Sequence, residues 1–166
     1  MKTVLAAVLV FAPAAAVLGQ DHSSCPMMSK AAEHRAAVDH RHADATGVSH
    51  EASVHHFLIA PDGGTIRLEA TAEAPVADRE PIRGHLRHVA RSFAAGQFEL
   101  PMLIHAQVPP GVPVMKAKKA AIQYAFAATD RGGEVRITTR DAAALAAVHE
   151  FLRFQIDDHG TGDPKE

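Results

Sequence analysis

The chain has one cysteine among 166 residues, Cys25, so no disulfide can form within it. In an oxidising compartment such a residue is a free thiol, an intermolecular link or a soft metal ligand. An excess of basic charge is also missing. Seventeen Lys and Arg face nineteen Asp and Glu, for a formal net charge of −2. A nucleic-acid partner calls for a basic face, and so does electrostatic attraction to anionic lipid, so both are set aside. Catalytic signatures are lacking too. There is no nucleophile elbow, no phosphate loop and no His-Glu-x-x-His pair. Cys25 lies in a polar stretch that offers little to fix a nucleophile's geometry. The balance favours a protein that is not an enzyme.

No apolar run is long enough to span a bilayer. Val4 to Leu18 falls short of the roughly 20 residues a spanning helix needs. Preceded by Lys2 and followed by Val17-Leu18-Gly19, this run reads as a signal peptide over residues 1–19. Cys25 does not mark a lipoprotein site, because Asp21-His22-Ser23-Ser24 before it is polar. The expectation is a periplasmic or secreted protein with no stable membrane insertion after cleavage.

What the chain has in quantity is histidine. There are twelve, and seven of them fall between His22 and His56. Histidine is both a common transition-metal ligand and a group that titrates near neutral pH. Residues 20–53 are polar, rich in His and Met, and carry little apolar periodicity. A short helix over Ser29 to Val38 fits, and the rest of this arm reads as flexible. If so, deleting residues 20–50 should leave the remainder folded. A domain over 54–160 and a tail over 161–166 complete the chain.

The domain carries a repeated pattern. Val54 to Ala60, Pro61-Asp62-Gly63-Gly64 and Thr65 to Ala70 match Ala121 to Ala128, Thr129-Asp130-Arg131-Gly132-Gly133 and Glu134 to Thr139. Each unit reads as a hairpin, with paired glycines supplying positive φ at the turn. A helix follows each, opened by Asp78 and Asp141 as N-caps. Counted from those caps, Ile82, Leu86, Val89 and Phe93 match Leu145, His149, Leu152 and Ile156, the spacing of one buried stripe. In the strands, Phe57, Ile59, Ile66, Leu68, Ile122, Tyr124, Phe126, Val135 and Ile137 alternate onto one face. The expected fold is α+β: a duplicated ββα–ββα with a four-stranded antiparallel sheet and two helices on one face. The Pro-rich stretch from Pro101 to Pro113 joins the halves.

Three groups of histidines are candidate metal ligands. The first lies in the arm: His22, Cys25, Met27, Met28, His34, His40, His42 and His50. Thiolate and thioether favour cuprous ions, while imidazole serves copper, zinc and nickel alike. Cys25-Pro26-Met27-Met28 beside His22 therefore points to copper, and the same residues as a plain polar tail are the competing reading. The second group is His55 and His56, which alternate to opposite faces, so His55 faces the helices and His56 faces away. The third is His85 and His88 on the first helix with His149 on the second. The first two sit three residues apart, close enough to share a ligand, and a buried imidazole needs a partner or a metal. The competing reading satisfies His149 with a backbone carbonyl. His105 and His159 stand near enough in sequence pattern to join either set.

Several stretches resemble a group of small exported bacterial proteins of uncharacterised role. They are His55-His56-Phe57, Asp62-Gly63-Gly64, Pro101-Met102-Leu103-Ile104-His105, Pro110-Gly111-Val112-Pro113-Val114-Met115, and His149 to Ile156. The resemblance covers residues 53–163 and leaves out the arm. Some members carry the label aspartate carbamoyltransferase, which does not fit. Transcarbamoylases are longer, intracellular, and bind carbamoyl phosphate through Ser-Thr-Arg-Thr, which Ile137-Thr138-Thr139-Arg140 does not reproduce. The resemblance implies a family and no mechanism. Function rests on the histidines. The leading expectation is a metal-binding protein for copper, in storage, delivery or detoxification, with zinc or haem as alternative cofactors. The other reading is a pH-responsive module without metal, whose charge swings positive as its histidines protonate. No protein partner can be named.

Overall fold

The computed structural model describes residues 26–75 and 79–166, with side chains from Lys30 onward. Residues 1–19, expected to be a signal peptide, together with His22, Cys25, the side chains of Met27 and Met28, and the expected Asp78 cap, lie outside the described residues. In chain order the elements are α1 (Pro26–Thr46), β1 (Ser53–Ala60), β2 (Gly63–Ala70), α2 (Arg79–Ala94), α3 (Glu99–His105), α4 (Val112–Ala117), β3 (Ile122–Ala128), β4 (Gly132–Thr139) and α5 (Ala142–His159).

The fold is α+β, with one antiparallel sheet in the order β1-β2-β4-β3. Two hairpins meet along β2 and β4, where Ile66 stands opposite Val135 and Gly64 opposite Ile137. Strand alternation sends Phe57, Ile66, Leu68, Ile122, Val135 and Ile137 to one face, where all are buried. The other face is polar and carries the Arg67–Glu134 pair, with Arg67 Nη2 2.7 Å from Oε2. Two helices cover the apolar face in crossed fashion. The helix α2, which follows the first hairpin, lies mainly over β3 and β4, and α5, which follows the second, lies mainly over β1 and β2.

The buried stripe of α2 is Ile82, Leu86, Val89, Ala90 and Phe93, as its spacing dictates. In α5 the buried positions are Ala144, Ala147, Val148, Phe151, Leu152, Gln155 and Ile156. That stripe is displaced from the expected one: Leu145 and His149 are only half-buried. Asp141 caps α5, accepting from the N–H groups of Ala143 and Ala144 at 3.0 and 2.9 Å. Gly160, at φ 64°, ends it with the left-handed turn that glycine makes easily.

The paired glycines do something other than expected. The first hairpin turns on Pro61-Asp62, since Ala60 pairs with Gly63. Of the four glycines only Gly63 has positive φ, at 147°. Gly64 and Gly133 are needed for close approach. A Cβ on Gly64 would lie 2.2 Å from Leu152 Cδ1, and one on Gly133 2.7 Å from Phe126 Cε2 and 3.3 Å from Leu86 Cδ1. The glycines let each helix sit down on the sheet.

Two expectations are corrected. The Pro-rich stretch is not a bare linker, because it folds into α3 and α4 and buries Ile104, Val112 and Met115. The arm is not loose either. From Pro26 to Thr46 it is one helix, packed against α3 and α5. Val38 and His42 on α1 and Val48 just beyond it are buried, and Arg41 Nε donates to the Ile104 carbonyl at 2.6 Å. Gly47 turns the chain at φ 71°. The loop after it brings Val48 and His50 in beside the end of β1. The tail is anchored as well. Asp163 accepts from the Phe57 N–H at 2.9 Å on the sheet edge and pairs with His56 Nδ1 at 2.9 Å.

Candidate metal centre

The anchoring of α1 brings a group of histidines together at the end of β1, four from α1 through α2 and one from α5. Helix α1 contributes His42, the following loop His50, strand β1 His55, helix α2 His85, and the end of α5 His159. His42 lies at the centre. Its ring centroid is 4.7 Å from both His50 and His55, 5.5 Å from His85 and 6.3 Å from His159, crossed edge-on in each case. His50 and His55 stack at 4.7 Å, and His159 stacks on both, at 5.5 and 5.0 Å. Phe57 closes one end of the stack, 5.8 Å from His55.

A buried imidazole nitrogen without a hydrogen bond is costly. Here four occur together: His42 Nε2, His50 Nε2, His55 Nδ1 and His159 Nδ1 have no partner among the described residues. His42 Nδ1 donates to the Val48 carbonyl at 3.2 Å, which leaves the lone pair on Nε2. One nitrogen from each of His42, His50 and His55 lies within 4.8 Å of the others. Two metal–nitrogen bonds of about 2.1 Å at a tetrahedral angle put ligand atoms about 3.4 Å apart. The three rings are thus close enough to hold one ion after a small inward turn.

Electrostatics keep these nitrogens free. Burial pushes His42 down to about 3, helped by the neighbouring His85 and His50. His85 falls to about 4 for the same first reason, with His88 adding to it. His55 and His159 are held well below the ordinary histidine value, again by burial first and by the other imidazoles second. His50 is lowered by burial against the pull of Asp39. Neutral imidazole is the form that binds a metal. A metal is therefore not obliged to displace protons here at neutral pH. The adjoining cavity, reaching Leu100 and Phe151, has a volume of about 50 Å³. That suits an ion and a water or two. A porphyrin does not fit, so the haem alternative has no room between these helices.

Of the sequence candidates, the structure brings His42, His50, His55 and His85 into this cluster and leaves others out. His40 is 77% exposed and pairs with Asp44 at 3.0 Å. His88 is exposed, and its Nε2 stands 3.4 Å from Ser92 Oγ. His149 does not meet His85 or His88. Its Nε2 lies 3.0 and 3.1 Å from the carbonyls of Ala60 and Gly63, so backbone acceptors satisfy it at the hairpin turn. His22, Cys25, Met27 and Met28 lie outside the described residues as ligands. His55 faces the helices and His56 faces away, as strand alternation requires.

Sequence reasoning undervalued His50, His105 and His159 and missed two carboxylates. His105 is buried and bonded at both nitrogens, Nδ1 to Asp158 and Nε2 to Gln155 Oε1 at 2.9 Å, which places it beside the cluster as a support. Asp158 also reaches His34 Nε2 at 2.7 Å, tying α1 to α5. Asp39 Oδ1 stands 3.4 Å from His50 Nδ1. The signal available was Asp39 three residues before His42, one helix face. No protein-family profile, curated protein or solved structure matches this chain.

Proposed function

We propose that this protein binds a transition-metal ion through His42, His50 and His55, that its physiological cargo is copper, and that it stores, delivers or detoxifies that ion outside the cytoplasm. One observation carries the reading: two buried imidazoles and a half-buried one bring a nitrogen each to within 4.8 Å of the others, and each ring has a nitrogen without a hydrogen-bond partner. Copper is favoured among the candidates because an all-nitrogen site ranks Cu²⁺ above the other first-row divalent ions, Zn²⁺ included. The Cys25-Pro26-Met27-Met28 run adds soft donors suited to cuprous ions. Export follows from the signal-peptide pattern of residues 1–19, and membership of the exported bacterial group belongs to the same proposal. Zinc held by the same imidazoles is the competing cargo. A pH-responsive module without metal is the second reading, supported by the gathering of several imidazoles at one place in the fold, where the folded state resists their protonation.

The test is a titration of metal-free protein with Cu²⁺ and Zn²⁺, followed by calorimetry and, for copper, electron paramagnetic resonance. One equivalent of copper with nitrogen hyperfine structure is expected, bound more tightly than zinc. His55→Gln and His42→Gln should each abolish that signal, while Cys25→Ser should leave it intact. Absence of tight binding by the unaltered protein would overturn the metal reading, and preferred binding of zinc would overturn the copper assignment.

A further inference from the structure

Asp39, His50 and His159 form a second set of three ligand atoms that lie within 4.8 Å of one another. We propose that this set is an outer loading position for the same ion, which then moves inward to His42 and His55, with His50 common to both positions. The inference rests on the metal-binding reading above and adds a route to it.

The two sets differ in access. Inside, His42 and His55 are 2% and 7% exposed, closed off from water. Outside, the Asp39 side chain is 41% exposed and that of His50 21%. A hydrated cation arriving from solvent meets the carboxylate first. Asp39 is the only carboxylate of either set, so it attracts the ion while water still fills most of its coordination shell. The unpartnered Nδ1 of His159 is the second donor there. His159 stacks on both His50 and His55, so the two positions share one wall of imidazoles.

The sets also exclude each other. A neutral imidazole has one lone pair, and both sets require His50. Its Nδ1 faces Asp39 and its Nε2 is unpartnered. One ion at a time can therefore claim it. Moving from outer to inner position exchanges the carboxylate and His159 for two deeply buried imidazoles. The ion loses most of its water and gains nitrogen donors, which a copper ion prefers.

The experiment mixes metal-free protein rapidly with Cu²⁺ alone and follows the copper absorption band. Asp39→Asn should slow loading on the order of tenfold, the low end of electrostatic acceleration, and should remove most of its dependence on ionic strength. His159→Gln should slow loading as well. In Asp39→Asn the final stoichiometry stays at one ion, held by His42, His50 and His55. An unchanged loading rate in Asp39→Asn would overturn the proposal, as would simultaneous binding of two ions by the unaltered protein. Failure of that protein to take up any copper refutes the underlying metal site instead, so the two failures are distinguishable.

Discussion

Acidification from pH 7 to pH 5 strikes this fold at its centre. His42 is 2% exposed and its proton affinity is lowered from 6.5 to about 3. At pH 5 it is therefore neutral in the folded protein and charged in the unfolded chain. Between 6.5 and 5 the unfolded state binds more protons, so stability falls as pH falls, by about 2 kcal/mol for this one group. His85, lowered to about 4, contributes a further loss of about 2 kcal/mol over the same window. His50, His55 and His159 act in the same direction, while Asp39 moderates the effect at His50. The depressed carboxylates Glu80, Asp141 and Asp163 lose their contribution only at lower pH. A total of about 4 kcal/mol is a large share of the 5–15 kcal/mol that holds a domain folded, and it corresponds to a fall in Tm of roughly 10–20 °C. The assay is thermal unfolding followed by circular dichroism, in chelator-treated buffers at half-unit steps from pH 7.5 to 4.5. A Tm that stays level between pH 7 and pH 5 would refute the claim that these imidazoles are buried and neutral.

Two further predictions test the packing. Gly64→Ala should cost roughly 1–3 kcal/mol, the range for overpacking a filled interior, because the new methyl meets Leu152 and the Leu58 carbonyl; denaturant unfolding would show it as a lower midpoint at unchanged slope. Deleting residues 1–50 should lower the unfolding temperature and speed amide exchange in β1 and α5, since it strips Val38, His42 and Val48 from the interior; a truncated chain as stable as the full one would show that α1 is dispensable.

Much of the sheet was legible because strand alternation is local. The period of two alone assigned Phe57, Ile66, Leu68, Val135 and Ile137 to one buried face and sent His55 inward. The stripe of α2 and the Asp141 cap were legible for the same reason. Helix α1 was not, because its buried residues are few and one of them is His42. Hydrophobic periodicity counts histidine as polar, and so a helix that packs through an imidazole reads as a loose arm. His149 misled in the opposite sense. Its place in the apparent stripe suggested a core ligand, yet the stripe is shifted and two carbonyls satisfy the ring.

The sequence by itself determined the α+β class, the two hairpins, the abundance of imidazole and the absence of a recognisable catalytic motif. These depend on residue type and short-range spacing, which are written in the chain. Only the tertiary structure decided which histidines meet. His42, His50, His55, His85 and His159 come from five separate segments, and their convergence depends on how α1 and α5 lie across the sheet. His42, His50 and His55 are near in sequence but sit on a helix, a loop and a strand, so their meeting depends on how that segment folds back. His85 and His159 join from distant elements, where spacing carries no information. The free nitrogens that make the cluster a candidate metal centre are likewise a property of that packing, because only a three-dimensional neighbourhood shows which hydrogen bonds are missing.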